Sequence, residues 1–496
     1  MLKLKALLNN QWFFPIVMLY YGIFYISFGE TFPLNGGVTM DGVVFSTFVS
    51  DFKKSHFFDT FYVHRILPSL IVGGIFKLFL ISPTNPHIFT SFQILNLAGI
   101  ITSCYFLKRI FVFFNISLKN QLLGFTLFLV NFAMLKFPFY LPVMSDTLAL
   151  AVSTMMLFFY LKNNTFGVIC CTIAACFTWQ PSFYQGLILT AFPYCYLPFS
   201  PIARRTKLIL RLSAALSLIL ICLFIIFIKK MDTASEHVAR INRTLLPLSI
   251  LGASVLYFFF SNIFLNSNLL NIRLFLSKLK LLNFIYTLCI WGASFAVIYY
   301  LNPFPNKFYP LQNTLFNPFL SALVWPLHTL VSHTAFWGML VILLIFFWGD
   351  FCRFISQMGW GLVGAFALNL FLFGLISETR CLTNLLPWLI VFLANVLNKY
   401  SFSKSFYIIT ALLCFATSKI WLLLNNNDDF SGMQLDKNFS MGFPHQKFWM
   451  NIGPWMSQQM YYLQGGGVLL LLAILFFMFY KIEVKRITKV RVVRRY

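Results

Sequence analysis

The feature that most constrains this chain is a series of long apolar segments that recurs along its whole length. Each segment is about 17 to 25 residues long, which is the length an α-helix needs to cross a bilayer. Hydrophobic residues make up 59% of the chain and charged residues 10%, which excludes a soluble globular protein. Lipid admits only helices or closed barrels, and these segments are continuous rather than alternating. The sequence therefore predicts an all-α polytopic membrane protein.

Basic residues set the expected topology, because Lys and Arg concentrate in cytoplasmic loops. Lys3 and Lys5 place the N-terminus in the cytoplasm. The apolar piece 66–81 is short, and counting it as a span would place Lys108 and Arg109 outside. We therefore interpret it as a juxtamembrane helix, which leaves about 12 to 14 transmembrane helices and cytoplasmic termini. The fourteen predicted spans are 12–29, 88–108, 120–136, 145–161, 164–180, 183–198, 208–228, 244–261, 281–300, 330–348, 358–376, 382–397, 404–424 and 467–481.

This topology divides the chain into three parts. Residues 1–424 form a helical bundle whose first extracytoplasmic loop, 30–87, is long. Residues 425–466 form an extracytoplasmic loop or cap that mixes polar and aromatic residues. Residues 467–496 contain the last transmembrane helix and a basic cytoplasmic tail.

The charge distribution excludes nucleic acid as the expected partner. The net charge is +24, but the basic residues lie in short loops and at the termini, as membrane topology requires. The tail 481–496 is a topology anchor that also contacts anionic lipid headgroups. The topology leaves only Asp350 and Glu483, of 13 acidic residues, on the cytoplasmic side. This asymmetry indicates acid chemistry or cation binding at the outer face.

Asp41 is the first candidate for chemistry. It follows the first span by about a dozen residues, within "TMDGVVFSTF" (39–48). The pattern predicts a helix that starts near Asp41, with the carboxylate at its N-terminus. A simple helix cap explains the same pattern. Asp51 lies ten residues further along.

Other candidates lie at the predicted outer ends of spans. His64 and Arg65 precede the juxtamembrane helix in "FYVHRILPSL" (61–70); such a pair binds phosphate or anchors the helix at the headgroups. Asp146 starts a span, where an acid caps the helix or faces a functional cavity. Glu378 and Arg380 stand two apart and either bind a phosphorylated headgroup or form a surface ion pair.

Familiar catalytic and metal-binding motifs are absent from the sequence. It contains no P-loop, no Gly-rich dinucleotide motif, no HExxH and no Cys/His zinc spacing. The ten cysteines lie inside or beside apolar segments, which favours a packing role over a disulfide framework. No metal ligands are assigned.

In combination, these motifs resemble the GT-C superfamily of integral-membrane glycosyltransferases. The resemblance consists of an acid in the first outer loop, then "YVHRILPSL", a span that ends in Lys-Arg, "SDTLALA" and a late segment from Arg380 to Pro387. It is best over about the first 200 residues. The resemblance implies a GT-C-like fold and transfer, with inversion, of a sugar from a polyprenyl-phosphate donor to an acceptor at the extracytoplasmic face.

The resemblance also assigns roles within a catalytic first outer loop, 30–87. Asp41 is the expected catalytic base, with Asp146 or Asp51 as a second acid. The donor phosphate is expected to bind Arg65, His64 and Arg380, and Glu378 to orient the acceptor. Many relatives carry an Arg-Glu pair where this chain has the uncharged "WQPSFYQ" (179–185). No cofactor is required by the sequence, and involvement of a divalent metal stays open.

The expected partners are the lipid-linked sugar, membrane lipids and a cell-envelope acceptor such as a lipopolysaccharide, another glycan, a lipid or a protein. An O-antigen polymerase or ligase shares the topology, but usually depends on large outer loops rich in Arg and His. A lipid-linked oligosaccharide transporter or flippase would place more charges at mid-membrane depth. The 63 phenylalanines and many Lys, Ile and Asn residues indicate an AT-rich genome, and hence a bacterial inner (cytoplasmic) membrane.

Overall fold

A computed structural model of the chain describes residues 2–33, 35–39, 41–51, 60–228, 241–301, 311–425, 444–481 and 485–486. These residues are overwhelmingly α-helical, and the only strands among them form one short antiparallel pair, Tyr400–Ser401 (β1) with Lys485–Arg486 (β2). The predicted all-α class is therefore confirmed.

The helices of the first half are α1 to α13, in chain order Leu2–Asn9, Phe13–Phe28, Asp41–Ser50, Thr60–Val63, Leu67–Leu78, Asn85–Phe113, Leu118–Leu129, Phe132–Leu135, Phe137–Tyr140, Asp146–Leu161, Thr165–Cys176, Gln180–Ala191 and Arg204–Leu223. The helices of the second half are α14 to α24, in chain order Leu246–Phe260, Ile272–Lys278, Leu281–Leu301, Leu311–Leu323, His328–Trp337, Met339–Ile355, Gly359–Leu368, Leu386–Leu397, Lys404–Ser418, Pro444–Trp449 and Gln458–Lys481. Tighter 3₁₀ turns cover Asn35–Gly37, Ser261–Phe264, Ser267–Leu269, Thr379–Leu385 and Gly453–Trp455, and π-helical turns cover Phe224–Ile228 and Asn369–Phe373.

Fewer helices are long enough to span a membrane than the sequence predicts. Within the described residues six helices qualify by length and composition, or up to eight if each of two bent pairs counts as one span; fourteen spans are not confirmed. The reason is length: seven further apolar helices among these residues are only 10–17 residues long, below the about 20 residues that a spanning helix needs. Apolar composition also does not separate lipid-facing from buried helices: the apolar window of Thr379–Leu397 is 89% buried inside the protein, whereas that of Gln458–Phe479 is 11% buried.

Two predicted spans are broken helices. The predicted span 120–136 falls on α7 and α8. The axis of α7 is bent by 68° from the following segment Phe132–Tyr140, which contains α8 and α9. The predicted span 330–348 falls on α18 and α19, bent by 120°. Gly338, between α18 and α19, has φ +60° and ψ −133°, a conformation that essentially only glycine adopts. Apolar periodicity continues through such a break, so the sequence pattern alone does not reveal it.

The described parts of the first long loop contain the two helices that the sequence predicts. A helix, α3, begins at Asp41, and the juxtamembrane helix predicted at 66–81 is α5, Leu67–Leu78. Elsewhere the boundaries differ. The predicted cap 425–466 ends inside α24, which begins at Gln458 rather than at 467. Residues 426–443 of that cap, and most of the tail 481–496, lie outside the described residues.

A buried ion pair joins the end of the first long apolar helix to two distant segments. Glu30 follows α2, and its carboxylate lies 3.3 Å from the ammonium of Lys136, which is 3% exposed. The same carboxylate accepts backbone N–H groups of Leu424 and Asn425 at 2.8 to 2.9 Å. Lys136 also donates to the carbonyl of Leu422. The pair therefore ties together the segments around residues 30, 136 and 424.

Replacing Glu30 by alanine is expected to destabilise the fold by about 3–5 kcal/mol, because the Lys136 ammonium would be left buried without a counter-charge. Thermal unfolding of the detergent-purified protein would measure the loss. A double variant, Glu30→Ala with Lys136→Met, should recover part of it, because no buried charge then remains. A single variant that unfolds at the wild-type temperature would contradict this prediction.

Candidate active site

The carboxylate of Asp41 is the centre of a charged cluster that draws on distant parts of the chain. Its Oδ2 atom lies 3.4 Å from Nη1 of Arg65 and 3.4 Å from Nη2 of Arg380. The hydroxyl of Tyr62 donates to Oδ1 at 3.3 Å. The Asp41 side chain is 20% exposed, so a ligand can reach it. The structure thus brings together three of the residues singled out in the sequence.

Local backbone structure explains how Asp41 is presented. It is the first residue of α3, where the free amides at the start of the helix favour a negative charge. The next residue, Gly42, packs so closely that a Cβ atom there would lie 3.1 Å from the carbonyl oxygen of Val143. The glycine therefore lets the first turn of α3 lie directly against the segment that leads into Asp146.

Two opposing effects act on the pKa of Asp41. Burial raises it, but the guanidinium groups of Arg380 and Arg65 lower it by more, so that it lies below its ordinary value. The carboxyl is therefore ionised at neutral pH. It can accept a hydrogen bond, but it is a weaker base than a free aspartate as long as both arginines contact it.

Arg380 is shared among three carboxylates. Besides Asp41, its Nε donates to Glu378 and its Nη1 lies 3.9 Å from Oδ2 of Asp146. Nη1 also lies 3.3 Å from the Met144 sulfur. Arg380 belongs to the 3₁₀ turn Thr379–Leu385, which packs on α10. Glu378, predicted to orient an acceptor, therefore also fixes the arginine.

Asp146 is the most enclosed acid of the cluster. It is 2% exposed, and neither carboxylate oxygen has a hydrogen-bond partner in the part of the chain that the structure describes. A buried carboxylate without a hydrogen bond costs free energy unless a ligand, a proton or a cation compensates it, and Arg380, whose Nη1 lies 3.9 Å away, supplies part of that compensation. Together with Asp41 and Glu378 it sets three acids against two arginines.

Two aromatic rings contact the guanidinium of Arg65. Its guanidinium carbon lies 4.1 Å from the ring centroid of Phe61 and 4.1 Å from that of Trp179. Such stacking fixes the plane of the group and leaves the N–H groups at its edge available. In the family pattern, 179–185 is only an uncharged departure, so the sequence did not indicate that Trp179 contacts Arg65. Its position directly before the Gln-Pro start of α12 was the available signal.

His64 and Asp51 take other positions. His64 is bonded through Nδ1 to the carbonyl of Cys176 at 3.0 Å. Its pKa is lowered by burial, which outweighs the opposing effect of that carbonyl; a neutral imidazole is expected at pH 7, and binding of phosphate by His64 stays a prediction. Asp51 follows the last residue of α3, about 15 Å along the helix axis from Asp41. This separation does not favour Asp51 as the second acid.

Whether the cluster holds a metal is left open by its composition. Within the described ranges, no group of three or more His, Cys, Asp or Glu side chains is arranged to hold a metal ion. The carboxylates of Glu378, Asp41 and Asp146 all lie within 4 Å of the shared arginine. Residues 52–59, which include His56 and Asp59, lie outside the described residues.

The cluster lies at one end of α10 and a predicted cytoplasmic arginine at the other. Asp146 is the first residue of α10. Arg109 packs over the ring of Phe158, 5.0 Å from its centroid, about 18 Å further along the helix. This arrangement agrees with the predicted sidedness, in which the acids face outward. The orientation in the membrane stays a prediction.

Comparisons with known proteins found no match: no protein-family model, no curated protein and no solved structure matches this chain.

Proposed function

We propose that this chain is a GT-C-like membrane glycosyltransferase that uses a polyprenyl-phosphate-linked sugar. The observation that carries the proposal is the convergence of Arg65 and Arg380 on the accessible carboxylate of Asp41. An acceptor hydroxyl needs a positioned carboxylate to take its proton. A departing lipid phosphate needs fixed cations. Both requirements are met by residues of one cluster.

The close contacts around Asp41 give the proposed mechanism a defined first step. Inversion requires that the base and the leaving phosphate lie on opposite sides of the anomeric carbon. The arginines therefore have to leave Asp41 when the donor enters between them. Contacts of 3.4 Å are longer than the about 2.7–2.9 Å of charge-assisted hydrogen bonds, which favours exchange of the carboxylate for a phosphate. Transfer of the guanidinium groups to the phosphate would then raise the basicity of Asp41.

The remaining parts of the proposal follow the resemblance. The acceptor is a cell-envelope glycan, lipid or protein. The site lies on the extracytoplasmic face of a bacterial inner membrane. Asp146 is the preferred second acid, since it borders the same arginine as Asp41. Glu378 positions Arg380 and orients the acceptor. The several helices that are long and apolar enough to cross a bilayer support a donor that arrives laterally from lipid.

The experiment that tests this function follows the donor, because the acceptor is unidentified. The purified protein is reconstituted in vesicles that contain polyprenyl-phosphate monosaccharides and a membrane extract as acceptor. Release of free polyprenyl phosphate is measured by mass spectrometry. Time-dependent release supports a transferase. Movement of intact donor across the bilayer without release would instead identify a flippase. A parallel set of vesicles contains diphosphate-linked oligosaccharides instead. Activity with these donors only would identify a polymerase or ligase.

A further inference from the structure

We propose that Trp179 is a positioning residue for the donor phosphate: it stacks on Arg65 and thereby holds the edge of that guanidinium toward the donor. This inference rests on the proposed function. It concerns a residue that lies in an uncharged segment, 179–185.

The first support is the pair of aromatic contacts to Arg65. The central carbon of the guanidinium lies over the rings of Trp179 and Phe61, 4.1 Å from each ring centroid. Only Nη1 is engaged, in the 3.4 Å bond to Asp41, and among the described residues the remaining N–H groups have no acceptor. A phosphate accepts two parallel N–H groups from an arginine edge. The guanidinium of Arg65 is therefore held in place and retains N–H groups that can bind a phosphate.

The second support is the way Trp179 itself is fixed. It is 1% exposed and immediately precedes α12. Its indole Nε1 donates to the carbonyl of Cys381 at 3.2 Å, which is the residue after Arg380. One side chain thus contacts the guanidinium of Arg65 and the backbone next to Arg380. Trp179 is placed to set the distance between the two arginines that meet at Asp41.

The consequence is specific to phosphate binding. Without the indole, the Arg65 side chain regains rotational freedom and its guanidinium becomes better hydrated. Both changes have to be reversed when phosphate binds. The cost of immobilising one such side chain on binding corresponds to about a two- to ten-fold weaker affinity. A phenylalanine at the same position retains a ring face but not the N–H group.

The test measures binding of farnesyl phosphate to the detergent-purified full chain by calorimetry. The variants are Trp179→Leu and Trp179→Phe. The matched control is Trp388→Leu, because Trp388 is fully buried and its indole also donates to a backbone carbonyl, that of Ser153 at 3.1 Å. Unfolding temperatures of all variants show whether each one is folded. Arg65→Met supplies the background for a double-mutant cycle.

We expect Trp179→Leu to weaken binding about two- to ten-fold, Trp179→Phe to retain most of the affinity and Trp388→Leu to leave it near the wild-type value. In the Arg65→Met background, Trp179→Leu should cause no further loss. Equal effects of the two leucine variants, or a full effect without Arg65, would overturn the positioning role and leave the proposed function intact.

Failure of the wild type to bind farnesyl phosphate would overturn the proposed donor instead. Inorganic pyrophosphate then separates the two ideas. Binding that depends on Trp179 and Arg65 would retain the positioning role for a different phosphate ligand. If neither farnesyl phosphate nor inorganic pyrophosphate binds, both the proposed donor and the positioning role are overturned.

Discussion

Replacement of Asp41 by asparagine should reduce the rate of sugar transfer by about 10²- to 10⁴-fold, the contribution of a general base. Asparagine has nearly the same shape and retains an oxygen that can accept from Tyr62, so the change removes the proton acceptor with little loss of packing. Release of polyprenyl phosphate in the reconstituted system measures the effect. The pH profile gives a second readout. The pKa of Asp41 lies below its ordinary value because of Arg380 and Arg65, so wild-type activity should fall only in acid, and the asparagine variant should lack that dependence.

Asp350→Asn is the matched control for this prediction. Asp350 is an acid of similar exposure that pairs with Arg353 at 3.7 Å and lies outside the cluster. Its variant should transfer sugar at the wild-type rate. Full activity of a folded Asp41→Asn protein would remove Asp41 as the base and, with it, the main support for the mechanism.

Replacement of Arg380 by methionine should lower stability more than any other single change in the cluster, and it should also weaken donor binding. Arg380 lies within 4 Å of the carboxylates of Asp41, Asp146 and Glu378, and its own side chain is 11% exposed. Removal leaves three carboxylates with one arginine in a poorly solvated place. The expected destabilisation is about 3–5 kcal/mol, measured by thermal or denaturant unfolding in detergent.

Two further variants test the cause of that effect. Arg353→Met removes an arginine that is 48% exposed, and an exposed pair contributes about 0–1 kcal/mol. Arg380→Met combined with Asp146→Asn should recover part of the stability, because the most enclosed acid no longer carries charge. Recovery of stability without recovery of donor binding would separate the structural role of Arg380 from its role toward phosphate. Equal losses for Arg353→Met and Arg380→Met would contradict the electrostatic explanation.

The sequence by itself determined the class of the protein, because the bilayer leaves few choices. A chain with continuous apolar segments has to satisfy its backbone hydrogen bonds internally, and helices do so. The start of α3 at Asp41 and the juxtamembrane helix α5 were also predictable from local signals. The grouping of Asp41, Arg65 and Arg380 followed from a shared predicted side of the membrane and a family resemblance. Their contact is a property of the fold.

Only the tertiary structure decided which apolar helices are enclosed by protein, where helices break and which neutral residues complete the site. Composition does not show where a helix ends or bends, so among the described residues fourteen predicted spans correspond to six, or up to eight, helices long enough to cross a membrane. Composition is also the same for a helix that faces lipid and for one that faces other helices. Trp179 lies 114 residues from Arg65 in the chain, and nothing in the local pattern indicates that they stack. Charge and periodicity are local properties, whereas the enclosure of Asp146 and the fixing of Arg65 arise from contacts between distant segments.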